Sequence, residues 1–448
     1  MGKPFEPLSP DPAYDQALSY LYGLQKFGIK FGLSNTENLL RAFGHPQKRL
    51  RLIHIAGTNG KGSVAAMLAS IFSRAGYRTG LYTSPHLVDF RERFQINGRL
   101  IPRDLTLDLI AEVRSRTDPG EPPTFFEFVT AMALLYFDRE GVDIGIIETG
   151  LGGRLDATNI IRPRITVITP LGLEHQEYLG RTLTRIAEEK AGIIKAGIPL
   201  VSGVTQSTAR EVLGRTCLEK GAPFYLAGRD FGTRKTGVGT FTYVGFGKKM
   251  KELQAGLLGD HQIKNAGLAL SAALLWQEGP KELKEGDLRE GLRTVFWPGR
   301  LELVPQKPRI VLDGAHNPLA MKALARSLTQ LFEYKKLFLV IGIMQDKDIP
   351  GIFAPIVPLA DQIFLTRAEY NRSAAPEHLF SLLQENQRKC RVFPNIARAL
   401  DQAREEAAEE DLICVTGSLF VVGEARNFIF KDEHPTSNIQ RPTANLKK

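Results

Sequence analysis

The chain predicts an α/β fold in two units: a parallel-sheet unit with a phosphate-binding loop (P-loop), then a smaller Rossmann-like α/β unit. Three observations predict it. Apolar, strand-like segments alternate with helix-like segments, first over about two-thirds of the 448 residues and again near the end. A glycine-rich turn stands directly between the first apolar strand and an amphipathic helix. A length beyond one comfortable domain, with 43% apolar and 24% charged residues, supplies enough material for two cores.

Residues 50–56 (LRLIHIA) read as the first strand. A helix follows from Val64 to Ala75, closed by Gly76 at a position that tolerates positive φ. Further strands are expected at 78–83, 142–148, 164–169 and 198–204, and helices at 124–138 and within 182–195. Thr124 and Glu127 have the spacing of a capping box, in which each side chain satisfies a free backbone amide of the other. Residues 228–258 turn Gly- and Lys-rich, as a β-hairpin excursion would, before a helix from Asp260 to Trp276.

Trp297-Pro298-Gly299-Arg300 punctuates the chain, so the first unit is assigned to 1–297 and the second to 298–432. The second unit has expected strands at 309–312, 336–342, 361–366, 391–393 and 411–416. Its helices are expected at 319–332, 376–388, 395–410 and 419–430. Residues 433–448 are polar with two prolines and are expected to be a disordered tail.

Composition excludes several classes. No apolar run approaches the ~20 residues of a membrane span, and the acidic, Pro-rich start is no signal peptide. Cys217, Cys390 and Cys414 are odd in number and scattered, fitting neither a disulfide framework nor a zinc site. A reduced, cytoplasmic chain is expected, with no membrane partner. The net charge of +9 is dispersed, without a basic run or interleaved aromatics, which argues against nucleic acid and suits small anionic substrates.

The chemistry is concentrated at strand ends. In Gly57-Thr58-Asn59-Gly60-Lys61-Gly62-Ser63, glycines free the backbone to turn around phosphates, the helix N-terminus adds partial positive charge and Lys61 a full one. The common pattern G-x-x-x-x-G-K-[ST] is not met, because Ile55 replaces the first glycine and Gly62 separates Lys61 from Ser63. Ser84 and Glu148 end strands at the edge where α/β proteins bind ligands, and His175 follows another strand. Lys190 falls on the apolar stripe of Leu183, Ile186, Ala187 and Ile194, where desolvation would lower its pKa. His261 and Asn265 share a helix face, and Asp313-Gly314-Ala315-His316-Asn317-Pro318 joins a strand to a helix.

HIAGTNGKGS resembles the ATP loop of the folylpolyglutamate synthase/dihydrofolate synthase family, a branch of the Mur ligase superfamily, whose form carries the extra glycine before the serine. The resemblance runs over nearly the whole chain, weakest at 205–255 and beyond 430. It implies an ATP-dependent ligase that joins glutamate to a folate-type carboxylate through an acyl phosphate. It implies two magnesium ions, with Ser84, Glu148, His175 and a carbamylated Lys190 as ligands, and admits a monovalent cation. Asn265, Arg300, Asp313 and His316 would meet ATP. Lys30, Phe31, Gly32 and Leu33, Thr124, Phe125, Phe126 and Glu127, and Arg154, Leu155 and Asp156 match pteroate-binding segments. Lys61, His175 and Lys190 would be catalytic. Small molecules are the only partners implied, and a monomer is expected. Another Mur-type amide ligase, or a nucleotide-binding switch or kinase, are the competing readings.

Overall fold

The computed structural model describes residues 11–28 and 32–431. Lys30, Phe31 and the expected tail at 433–448 lie outside the described residues.

Eight strands form the first sheet: β1 (Leu52–Ala56), β2 (Thr79–Tyr82), β3 (Phe94–Ile96), β4 (Arg99–Leu100), β5 (Ile144–Glu148), β6 (Ile165–Ile168), β7 (Leu200–Ser202) and β8 (Phe224–Leu226). Their order is β4-β3-β2-β5-β1-β6-β7-β8. All pairs from β2 to β8 in this order are parallel, and the β3–β4 hairpin closes one edge antiparallel. β1 is buried along its whole length because side chains alternate between two covered faces. Ile53 and Ile55 join the helix Lys61–Arg74, whereas Leu52 joins the helix Phe125–Arg139 on the opposite face.

The capping box forms as expected: Glu127 N–H donates to Thr124 Oγ1 (3.2 Å) and Thr124 N–H to Glu127 Oε2 (2.7 Å). The segment 228–258 becomes a three-stranded antiparallel sheet, β9 (Phe231–Gly237), β10 (Thr240–Gly245) and β11 (Lys248–Gln254). Its apolar side packs with the helix Asp260–Leu275.

The second sheet contains β12 (Glu302–Val304), β13 (Arg309–Leu312), β14 (Leu337–Ile341), β15 (Gln362–Leu365), β16 (Cys390–Val392) and β17 (Leu412–Thr416), ordered β12-β13-β17-β14-β15-β16. Only β12 is antiparallel, against β13. Sequence reading missed β12, three residues long, and the helix Ile349–Ile356, whose apolar residues lack polar alternation.

Two expected helices are shorter. The helix within 182–195 stops at Ala191: Arg154 N–H takes Glu189 O at 2.7 Å, the carbonyl that Ile193 N–H would need to continue the helix, and Gly192 gives Arg154 room, since a Cβ there would stand 2.3 Å from Arg154 Cα. The helix at 376–388 ends at Ser381 and gives way to a 3₁₀ segment over 384–389.

The connector after Trp297 is tied to the second sheet. Arg426 Nε pairs with Glu302 Oε1 at 3.0 Å, with side chains only 8% and 1% exposed. Glu302 Oε2 also accepts Gly299 N–H at 2.8 Å, and Gly314 N–H donates to Gly299 O at 2.8 Å. The Ser84–Leu87 segment rests on the helix Leu419–Ile429, where a Cβ on Gly423 would lie 2.1 Å from Leu87 O.

Candidate active site

The site forms at the carboxyl ends of β1, β5 and β6, where the strand order reverses, the usual ligand crevice of an open α/β sheet. Gly57 (φ +150°) leaves β1 pressed against Thr169, and a Cβ would sit 1.8 Å from Thr169 Oγ1. The amides of Thr58 and Asn59 donate to Pro170 O (3.2 and 3.4 Å). Among the described residues the amides of Gly60, Lys61, Gly62 and Ser63, at the helix N-terminus, are left for an anion.

Two ammonium groups converge on one carbonyl. Lys61 Nζ donates to Gly57 O at 3.2 Å and Lys190 Nζ donates to the same oxygen at 2.9 Å. Lys190 is 4% exposed. Burial, reinforced by the Lys61 charge, pulls its pKa down from 10.5 to about 7. Around them, Thr149–Gly152, Glu174, His175 and Leu179 complete a small cavity.

Glu148 is buried and accepts Ser84 N–H at 3.3 Å. Burial raises its carboxyl pKa, against the pull of Lys61, the Ser84 amide, Arg300 and Arg93. His175 stands at the N-terminus of the short helix Gln176–Leu179, and burial, only partly offset by Glu174, brings its pKa down to about 4. A neutral imidazole, a buried carboxylate and the Ser84 hydroxyl are donors that suit a divalent cation with phosphate and water oxygens. Among the described residues no group of three or more His, Cys, Asp or Glu side chains is placed to hold a metal ion by itself, so nucleotide oxygens would be needed to complete such a shell.

Asn265 was expected at the nucleotide. It lies buried beneath the loop, donating to Gln262 Oε1 (2.9 Å), while Gln262 donates to Ser63 Oγ (3.2 Å). A Cβ on Gly60 would meet Asn265 Oδ1 at 2.7 Å. Arg300 acts electrostatically on Asp313, His261 and Glu148. Asp313 is buried and caps the connector, accepting Leu301 and Ala315 N–H at 2.8 and 2.9 Å.

The second sheet's loops touch the first directly. Asn59 and Asn317 exchange side-chain hydrogen bonds at 3.2 and 2.9 Å. His316 Nε2 lies 3.0 Å from Glu174 Oε1, and Lys347 Nζ lies 3.6 Å from the same oxygen. Burial would raise the Glu174 carboxyl, but His316, His175 and Lys347 hold it below the usual range. Sequence reading took His175 from Leu173-Glu174-His175 and overlooked Glu174 beside it, and it also missed Lys347.

Near the substrate segments, Phe125 stacks on Tyr22 (5.8 Å, 20°) and Phe126 tilts against Tyr82. Asp156 spends its oxygens on the amides of Gly150, Leu151 and Thr158 (2.9, 2.8 and 3.0 Å), which orders the loop beside Lys190. Thr158 Oγ1 in turn lies 2.8 Å from Nε2 of the buried His54 on β1, another residue sequence reading missed. Arg154 is exposed and pairs with Glu189 at 2.7 Å, and Leu155 is half-buried beside it. Gly32 and Leu33 lead into the helix Ser34–Arg41, which packs on the helix Phe125–Arg139.

A phosphate loop facing a second α/β sheet, with a buried lysine and a buried carboxylate beside the loop, defines a nucleotide-dependent ligase of the Mur type. Residues 55–273 match the Mur ligase middle domain and 299–419 the Mur ligase glutamate ligase domain. The chain is 35% identical over 426 residues to a Bacillus subtilis dihydrofolate synthase/folylpolyglutamate synthase, covering 92% of this chain and 98% of that protein. It superposes on Escherichia coli FolC in complex with DHPP and ADP with a TM-score of 0.87 at 31% identity, covering 96% and 100% of the two chains. A Thermotoga maritima folylpolyglutamate synthase gives 0.82 at 35% identity, covering 94% and 97%. The chain belongs to the dihydrofolate synthase/folylpolyglutamate synthase family and is an ATP-dependent, amide-forming ligase. No helix among the described residues is long and apolar enough to cross a membrane.

Proposed function

We propose that this ligase joins L-glutamate to dihydropteroate and to reduced folates, with ATP gripped between the Gly57–Ser63 loop and the Asp313–Asn317 turn. The observation that carries it is the convergence of Lys61 and Lys190 on Gly57 O beside four open amides, an arrangement that calls for a polyanion. Lys61 and the amides neutralise charge on the γ-phosphate while a carboxylate oxygen of the substrate attacks phosphorus and the bond to the β-phosphate breaks. The amine of glutamate then attacks the acyl carbon, loses a proton, and phosphate departs. Arg300 and His316 would support the nucleotide from the second sheet.

Glu148, the Ser84 hydroxyl and His175 would hold magnesium, which when bound supplies Lewis-acid stabilisation of phosphate charge. Lys190, buried and with a pKa near 7, has the neutral amine needed to add carbon dioxide. The amine attacks the carbon, releases a proton, and a cation becomes a carbamate anion able to bind a second magnesium. Phe125, Phe126 and the Gly152–Asp156 loop line the pteroate side.

Purified protein incubated with ATP, magnesium, glutamate and either dihydropteroate or tetrahydrofolate should release phosphate with both acids. Lys61→Ala, checked for folding, should lose roughly 10²–10³-fold in rate. An undiminished rate in that variant, or turnover only with a muramyl acid, would overturn the proposal.

A further inference from the structure

A histidine occupies the middle of an otherwise apolar strand. His54 lies on β1 among Leu52, Ile53, Ile55 and Ala56, and like them it is fully buried. Burial, with the Lys195 charge adding to it, pushes the imidazole pKa down to about 3, so the ring is neutral. An apolar side chain would fill this position without the cost of desolvating a polar ring. Nε2 lies 2.8 Å from Thr158 Oγ1, whereas Nδ1 has no hydrogen-bond partner among the described residues. The contact with Thr158 is what the histidine adds.

Thr158 fixes the direction of that contact. Its single hydroxyl proton goes to Asp156 Oδ1. Burial pushes the Asp156 carboxyl up, against the pull of the Thr158 hydroxyl and of the Leu151, Thr158 and Gly150 amides. Both of its oxygens accept backbone amides, Oδ1 from Thr158 and Oδ2 from Gly150 and Leu151. With its proton committed to a carboxylate, Thr158 Oγ1 offers His54 only a lone pair, so Nε2 carries the imidazole proton and donates it. His54 thus donates to Thr158, Thr158 donates to Asp156, and Asp156 holds two amides of the preceding loop.

That loop lies beside the reacting groups. Gly150, Leu151 and Gly152 wall the cavity that Lys61 and Lys190 enter. The Phe126 ring presses on Gly150, where a Cβ would stand 2.5 Å from its Cζ. The far end of the loop is tied to the segment carrying Lys190, since Arg154 N–H donates to Glu189 O at 2.7 Å and Asn159 Nδ2 to Gly192 O at 3.1 Å. The near end leaves β5 directly after Glu148. The Asp156 clamp between the two ends sets where Lys190 stands relative to Glu148.

We infer that His54 is a positioning residue for the ligase reaction: through Thr158 and Asp156 it fixes the Gly150–Gly152 wall, and with it the spacing of Glu148 and Lys190. The inference rests on the proposed reading of this crevice as the seat of phosphoryl transfer, and adds a residue that shapes it from inside the sheet.

The test uses the full-length protein as wild type, His54→Leu, Thr158→Val, the double variant, and His54→Gln, whose side-chain amide can donate from near the place of Nε2. Hydrogen–deuterium exchange read by mass spectrometry compares segment 149–156 with segment 57–63. His54→Leu should speed exchange of the Gly150 and Leu151 amides roughly tenfold, the worth of one hydrogen bond, and leave 57–63 unchanged. With dihydropteroate or tetrahydrofolate, whichever acid wild type turns over, its kcat should also fall roughly tenfold, while calorimetric ADP affinity stays unchanged. Thr158→Val should do the same, and the double variant should lose no more than either single one, because both break the same chain. His54→Gln should restore both readouts, and with Thr158→Val it carries the comparison if the Leu protein does not fold. Faster exchange in both segments with ADP affinity falling in step would show a merely structural role and overturn the inference. Additive losses in the double variant, or a Gln protein as impaired as Thr158→Val, would overturn it too. If wild type turns over neither acid, the substrate reading falls, and the exchange pattern still decides this inference.

Discussion

Replacing Lys190 by methionine should make the ligand-free protein more stable at neutral pH while abolishing its activity. The ammonium group is 4% exposed, and burial beside the Lys61 charge takes its pKa from 10.5 to about 7. At ~1.4 kcal/mol per pH unit, that gap costs the fold about 5 kcal/mol. Methionine loses the hydrogen bond to Gly57 O, worth roughly 1 kcal/mol, and Lys61 still donates to that oxygen. The net gain at pH 7 is then about 3–4 kcal/mol, or a rise of roughly 5–10 °C in melting temperature for a protein of this size class.

The sign with pH follows from proton counting. Between pH 7 and 10.5 the native protein holds fewer protons at Lys190 than the unfolded chain, so wild-type stability rises with pH across that window. The penalty is fully present below pH 7 and gone above 10.5. Methionine carries none of it, so the advantage of Lys190→Met should be largest at pH 7 and below and close toward pH 10.5. Urea unfolding of both proteins from pH 6.5 to 10, in buffers purged of carbon dioxide to prevent carbamate formation, measures the gap. A less stable methionine protein at pH 7, or a gap independent of pH, would refute the reasoning.

Two further outcomes are expected. Gly57→Ala places a Cβ 1.8 Å from Thr169 Oγ1 at φ +150°, so it should destabilise by about 2–4 kcal/mol and weaken ADP binding, measured by melting with and without ADP. Glu302→Ala leaves Arg426 buried without its partner and frees the Gly299 amide, which should cost about 3–5 kcal/mol in denaturant unfolding, whereas a Glu302→Met/Arg426→Leu double variant should recover most of it.

Local sequence determined much of this protein. The strand–turn–helix at 52–74, the capping box at Thr124 and Glu127, and the lysine on an apolar helix stripe each depend on residues within a turn or two, so periodicity and spacing reveal them. The apolar stripe even foretold the burial of Lys190, though not what it would meet. The end of its helix was misjudged, because the stop is imposed by Arg154, nearly forty positions earlier, whose amide takes the Glu189 carbonyl.

Only the tertiary structure decided the rest. Lys190 reaches Gly57 O across 133 positions of sequence, and Asn59 meets Asn317 across 258. Glu174 faces His316 and Lys347 from the other sheet, and Arg93, in the 3₁₀ turn Phe90–Arg93, lies against Phe125 on its helix. Such contacts leave no periodic trace, since each side chain is chosen for a neighbour that the chain brings near only after two sheets have packed. What the residues near one another in sequence can satisfy among themselves is legible in order. The charges they cannot satisfy alone find their partners only in the fold.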